Sequence, residues 1–437
     1  AALCLDTSRA VRSFVEAQGG VETCSAVGCS KRVPALFATL VNGTLAHSLD
    51  YDDTHLPSVL HPSATVVPAC LAAAEQSGSS GRQLLEAIAT GLEVCVRLGM
   101  AGYDSKARNS TYFDRGQHAT SICGAVAGAG AVARLFEMGP EKISDAMAIA
   151  ASMASGVIEA NRAGGTVKRL HCGWAAHSAV SAAELARLGF SGPPSALEGR
   201  FGLFQALLGG RFDAGAITEG LGEQWLMSDI QFKPYPANHF THGGIDAALA
   251  LARRGLRVEE IESLSLGVAG PTVRTIGEPI ERKRAPETGY EAQFSGPYTV
   301  AAALLGGHGL GLGLDDFSDG LARDPKRRSI MEKVVVVEDP WCNAIFPEQF
   351  PAVLVARTTS GETLVEKVES NRGGPQRPLS AGDVARKFRD NAARGLEAAD
   401  VTALELAVAS LPERSTVTDL LDIARGARGS GAAVGER

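Results

Sequence analysis

The chain has 437 residues, 45% of them hydrophobic and 21% charged, an ordinary globular balance with ample capacity for a buried core. A formal charge of −7 and a pI near 5.8 exclude a general nucleic-acid surface, so any anionic ligand must be drawn by a local basic cluster. No apolar run approaches the roughly 18 residues of a membrane helix, and neither a signal peptide nor a transit pattern stands at Ala1, which is not expected to be a native start. The eight cysteines are scattered without a C-x-x-C pair, which reads as buried reduced thiols in a cytoplasmic protein rather than a zinc or iron–sulfur site.

In chain order, residues 1–18 read as the end of a helix and Gly19–Cys29 as an extended loop. Pro34–Ala46 is an Ala/Leu/Val helix that runs into His47-Ser-Leu-Asp50-Tyr-Asp-Asp-Thr54-His-Leu-Pro-Ser-Val-Leu-His61-Pro-Ser. A helix from 64 to about Gln76 follows. Gly81–Met100 carries apolar residues at helical spacing (Leu84, Leu85, Ile88, Leu92, Cys95, Leu98). Ala119–Phe136 is Gly/Ala-rich, Pro140–Val157 has a proline near its start, and helices are expected at Gly173–Leu188, Ala196–Leu208 and Gly243–Arg254. Beyond residue 258 the character changes. Ile261–Val268 alternates with period two, Val334–Val337 is β-branched, and Ala352–Thr358 with Thr363–Val368 suggests a hairpin across Ser360-Gly361. Helices at Pro297–Leu305 and Ala381–Ala393 accompany these strands. Val401–Leu411 and Val417–Ala424 return to helix, before a Gly/Ala/Arg tail that should be frayed. The expected fold is mainly α: a large all-helical domain, residues 1–258 plus 400–437, with an inserted smaller α+β lid domain, residues 259–399.

Four polar motifs each precede an Ala/Gly-rich helix: His61-Pro-Ser, Gly116-Gln-His118, Lys168-Arg-Leu-His171 and Lys233-Pro-Tyr-Pro-Ala-Asn238-His239. Helix starts offer unpaired N–H groups and partial positive charge, so several starts sharing one cleft with Lys168, Arg169 and Lys233 would make an anion site. Capping preference explains Ser63 or Thr120, but not why His and Lys recur there.

These motifs, in this order, resemble the MmgE/PrpD family, which includes 2-methylcitrate dehydratases, cis-aconitate decarboxylase and iminodisuccinate epimerase. The resemblance is carried by His47-x-x-Asp50-Tyr-Asp-Asp-Thr54, His61-Pro-Ser, Gly116-x-His118, Lys168-x-Leu-His171 and Lys233-x-Tyr-Pro236. It continues through Phe294-Ser-Gly-Pro-Tyr298, Arg372-Gly-Gly-Pro and Lys387-Phe388, so it spans nearly the whole chain. It implies a homodimeric, cofactor-independent enzyme, without a metal, that handles a proton next to a carboxylate of a small di- or tricarboxylate. Carried over residue by residue, it implies His118, His61, Asp50 and Tyr298 as catalytic groups. Thr54, Lys168 and Lys233, with Asn238 and His239 beside them, would bind the substrate. Lysines can clamp carboxylates and stabilise the enolate-like anion; histidines near neutral pKa can take and return a proton; Asp50 would orient or tune a histidine. Two departures stand out: the Asp50–His61 spacing is one residue longer than in the animal decarboxylase, and Asn238 occupies the place of that enzyme's histidine.

The first expectation is therefore a hydro-lyase acting on a 2-methylcitrate-like acid. An epimerase or decarboxylase using the same pocket, and a non-catalytic carboxylate-binding protein, are the alternatives. Gly128-x-Gly130-x-x-Ala133 matches a loose dinucleotide fingerprint, but the flanking pattern is helical, so helix packing is expected there. Asp52, Asp53 and His55 are assigned either structural roles or roles supporting the residues that touch substrate, as are His171 and His177.

Overall fold

The computed structural model of the chain describes residues 1–160 and 165–426. The fold is mainly α, with few small sheets. Two compact units are formed, one by Ala1–Ser228 with Phe388–Arg437 and the other by Asp229–Lys387. The division expected near 258 and 399 thus lies at Ser228/Asp229 and Lys387/Phe388. The frayed tail expected at residues 427–437 lies outside the described residues.

In the first unit the longer helices are α1 (Asp6–Gln18), α2 (Ala35–His47), α3 (Ser63–Ser77), α4 (Gly81–Ala101), α5 (Ala119–Leu135), α6 (Pro140–Met153) and α7 (Val167–Arg187). Their small side chains let backbones approach closely. A Cβ on Gly43 of α2 would meet the Gly173 Cα of α7 at 2.8 Å, and one on Gly173 would meet the Leu40 carbonyl oxygen at 2.2 Å. This pair of glycines therefore sets the α2–α7 crossing, with His47 one turn beyond Gly43 and His171 two residues before Gly173. Gly128 does pack a helix, since a Cβ there would meet Ala179 Cβ at 2.9 Å. The thiols are all free, and only Cys4 is exposed.

Several helices differ from expectation, and α6 ends at Met153 rather than Val157 because Ala154 is extended. α7 begins at Val167 rather than Gly173, because Lys168-Arg-Leu contains no breaker; Lys168 and His171 consequently share one face at i, i+3. The helix expected at Ala196–Leu208 is confined to Leu203–Leu208. Gly199 and Gly202 instead close turns, where a Cβ would approach the Ser195 and Leu197 carbonyl oxygens to 2.6 and 2.7 Å.

The second unit is built on a four-stranded mixed sheet of β1 (Ile261–Val268), β2 (Val334–Glu338), β3 (Ala352–Thr358) and β4 (Thr363–Val368), in the order β2-β1-β3-β4. β1 pairs parallel with β2, while β1–β3 and the β3–β4 hairpin are antiparallel, as the Ser360-Gly361 turn requires. Helices α8 (His242–Arg253) and α9 (Gly296–Leu305) belong with this sheet; a Cβ on Gly243 of α8 would meet Ala352 Cβ at 2.9 Å. Among the described residues no helix is long and apolar enough to cross a membrane.

Candidate active site

A row of imidazoles lies inside the first unit. Ring centroids run His61–His47 at 5.2 Å, His47–His118 at 5.5 Å and His118–His171 at 5.0 Å. Four separate elements supply them: the 48–62 loop, the C-terminus of α2, the residue before α5 and the first turns of α7. His47, His118 and His171 are buried, while the His61 side chain keeps 12% of its exposure.

Each ring is held by identifiable bonds. His61 Nδ1 lies 2.6 Å from the Asp53 carbonyl oxygen, which only accepts, so that nitrogen carries the proton. Thr54 Oγ1 is 3.3 Å from the same nitrogen, and the His61 backbone N–H donates to Thr120 Oγ1 at 3.1 Å. His47 Nδ1 lies 2.6 Å from the Asp52 carboxylate. His118 Nδ1 is 3.0 Å from His171 Nδ1. The Nε2 atoms of His47 and His118 are buried and have no hydrogen-bond partner among the described residues.

The cluster's electrostatics favour neutral rings. Burial first, then His47, Lys168, His171 and His61, push the His118 imidazole well below its ordinary value. Burial, His47 and Lys168 push His171 down to about 4. A ring so perturbed stays neutral at physiological pH and can accept a proton. Lys168, half-buried on α7, supplies the cation beside it.

The acidic loop divides its labour. Asp53 accepts from the Ser63 N–H at 3.1 Å and from the Ser63 hydroxyl at the start of α3; burial and then the neighbouring Asp52 raise its pKa to about 6. His55 bonds Ser58 Oγ at 2.7 Å and is pushed down to about 4 by burial. Both thus hold the loop. Asp50 is buried in left-handed backbone, φ 50°, which an aspartate tolerates; Val59, φ 55°, is β-branched and strained there. Among the described residues no group of three or more His, Cys, Asp or Glu could hold a metal ion.

Comparison with known proteins gives the family of the chain. Residues 1–214 match the MmgE/PrpD N-terminal domain and residues 235–413 the MmgE/PrpD C-terminal domain. The chain belongs to the MmgE/PrpD family. It is 31% identical over 409 residues to the cis-aconitate decarboxylase of Homo sapiens, covering 90% of this chain and 80% of that one. The Mus musculus cis-aconitate decarboxylase is 30% identical, over 90% and 79% of the two chains. That of Aspergillus terreus is 26% identical over 92% and 83%. An MmgE/PrpD enzyme related to those that process polycarboxylates is therefore supported.

The remaining residues expected at an MmgE/PrpD site lie in the second unit. Lys233 is fully enclosed, and its carbonyl accepts from Lys387 Nζ at 2.8 Å. Asn238 caps the short turn His239–Thr241, its Oδ1 accepting from the Phe240 N–H at 3.1 Å. His239 is buried with its ring 4.4 Å from that of His242. Tyr298, buried at the start of α9, donates its hydroxyl to the Asp316 carbonyl oxygen. Within the first unit, His118, His61, Thr54 and Lys168 gather with two groups not chosen from the sequence, His47 and Asp52. The signal for that pair was the five-residue step His47 to Asp52, which has no meaning until the loop's path is known.

Proposed function

We propose that this MmgE/PrpD protein abstracts a proton next to a carboxylate of a small di- or tricarboxylate and eliminates water, without a metal or organic cofactor. The observation that carries this is His118: a buried imidazole kept neutral by its surroundings, whose Nε2 has no partner among the described residues, beside the Lys168 cation. Lys168 would hold a substrate carboxylate and stabilise the negative charge that develops as the α-proton leaves. His118 would take that proton, and His61, the ring in the row with most exposure, would return one to the departing hydroxide. Thr54 and Asp50 complete the proposed set within the first unit.

Decarboxylation is the second reading, favoured by the names of the human, mouse and Aspergillus terreus relatives. Asn238 argues against it, because an amide cannot act as the base that the animal decarboxylase's histidine would be.

The test is incubation with 2-methylcitrate, citrate, isocitrate and cis-aconitate in deuterated water, followed by NMR and by carbon dioxide release. Alkene formed from a hydroxy acid, lost in His118→Gln, is expected. Carbon dioxide from cis-aconitate would replace it by the second reading. Deuterium in recovered substrate of inverted configuration, without alkene, would make the enzyme an epimerase. Binding without turnover of any acid would leave a carboxylate-binding protein.

A further inference from the structure

The contact between His118 and His171 constrains where protons can sit. Two ring nitrogens 3.0 Å apart hold one proton between them when both rings are neutral. Either His118 Nδ1–H donates to His171, which leaves His118 Nε2 as a bare lone pair, or His171 donates and His118 Nε2 carries hydrogen. The second arrangement buries an N–H with no acceptor, since His118 Nε2 has no partner among the described residues. Orphaned buried donors are the rarer and costlier defect. Lys168 also favours a lone pair over a second positive hydrogen in its field.

Backbone anchors keep the two rings in this relation. The His118 N–H donates to the Gly156 carbonyl at 2.9 Å, and Ser121, one turn into α5, donates its hydroxyl to the His171 carbonyl at 3.1 Å. Ser121 thus ties His171 to the α5–α7 crossing, while His118 is held through Gly156 to the segment that follows α6.

We propose that His171 is a positioning residue for His118: it accepts the His118 Nδ1 proton, fixes the tautomer, and shares the charge when His118 Nε2 takes a proton from the substrate. This rests on the reading of His118 as the base. The step balances: the substrate C–H proton bonds to Nε2, its electron pair stays on carbon and spreads into the adjacent carboxylate, and the single new positive charge lies on the hydrogen-bonded imidazole pair. Return of that proton to carbon, or its release to solvent once His61 has protonated the departing hydroxide, restores two neutral rings. The titratable groups that act on the pair are His47 on α2, itself bonded to the Asp52 carboxylate, His61 on the loop and Lys168 on α7.

The ligand-free protein labelled with ¹⁵N in its histidine rings decides the pairing by long-range ¹H–¹⁵N spectra, with His118→Gln used only to assign the resonance. At pH 7 the His118 ring should be protonated at Nδ1 and bare at Nε2. His171→Asn, whose amide oxygen still accepts, should keep that tautomer; His171→Phe should lose it. In the same variants, solvent-deuterium exchange into citrate and cis-aconitate should fall at least about tenfold for Phe and be largely restored for Asn. An Nε2–H tautomer in the native chain, or an unchanged His118 tautomer in His171→Phe, overturns the proposal, and the native spectrum suffices if a variant does not fold. Native enzyme that exchanges neither acid overturns the reading of His118 as base, a failure separate from that of the ligand-free spectrum.

Discussion

In the sheet-containing unit the buried Tyr235 hydroxyl donates to one oxygen of Asp246 at 2.6 Å, and Arg377 donates to the other at 2.9 Å. In the helical unit His47 and His118 are as deeply buried, yet each leaves Nε2 without a partner among the described residues. A closed network recovers the cost of burying its polar groups, whereas an open one retains reactive nitrogens at the expense of stability. The contrast separates a polar cluster that holds a fold from one disposed for chemistry, although both consist of similar residue types.

Four substitutions can break or sharpen that contrast. His118→Gln should lower turnover by about 10²–10⁴-fold with little change in a urea midpoint, because it removes the base while its amide can still donate to His171. A large loss of stability in that variant would place His118 with the closed networks instead. Asp246→Ala should do the reverse, costing about 3 kcal/mol in chemical denaturation by leaving the Tyr235 hydroxyl and the Arg377 guanidinium without their acceptor. An unchanged midpoint would remove the closed side of the comparison.

The third concerns pH. His55 is pushed from 6.5 to about 4 in the folded chain by burial, so between those values the unfolded chain binds more protons and stability falls as pH falls. Moving from pH 7 to 5 should therefore cost the native protein about 2 kcal/mol more than His55→Gln, measured by urea unfolding at both values. The smallest effect belongs to Val59→Gly, which relieves left-handed strain at a β-branched residue and should raise stability by about 1 kcal/mol.

Much of the fold was legible because its signals are local. Period-two alternation marked Ile261–Val268, and Ser360-Gly361 between two β-branched runs marked the hairpin. Errors arose where a residue has two meanings. Gly173 suggested a helix start but is an interior contact between α2 and α7, and the Gly199/Gly202 spacing lay inside an apolar run that otherwise looked helical. The candidate site was legible in part: His61 and His118 could be chosen from their places before helices, and Lys168, which lies inside α7, from the family resemblance. His47 and Asp52 could not, since their pairing depends on the course of the loop between them.

By itself the sequence determined that the chain is mainly helical with a sheet-containing segment, and that it belongs to the MmgE/PrpD family. Only the tertiary structure decided which histidines meet. Residues 47, 61, 118 and 171 become neighbours through the close α2–α7 crossing at Gly43 and Gly173 and through the α5–α7 crossing, a matter of packing that spacing along the chain does not encode. The protonation state of each ring follows from that packing too, because burial and neighbouring charge set an imidazole's pKa far more strongly than its position in sequence.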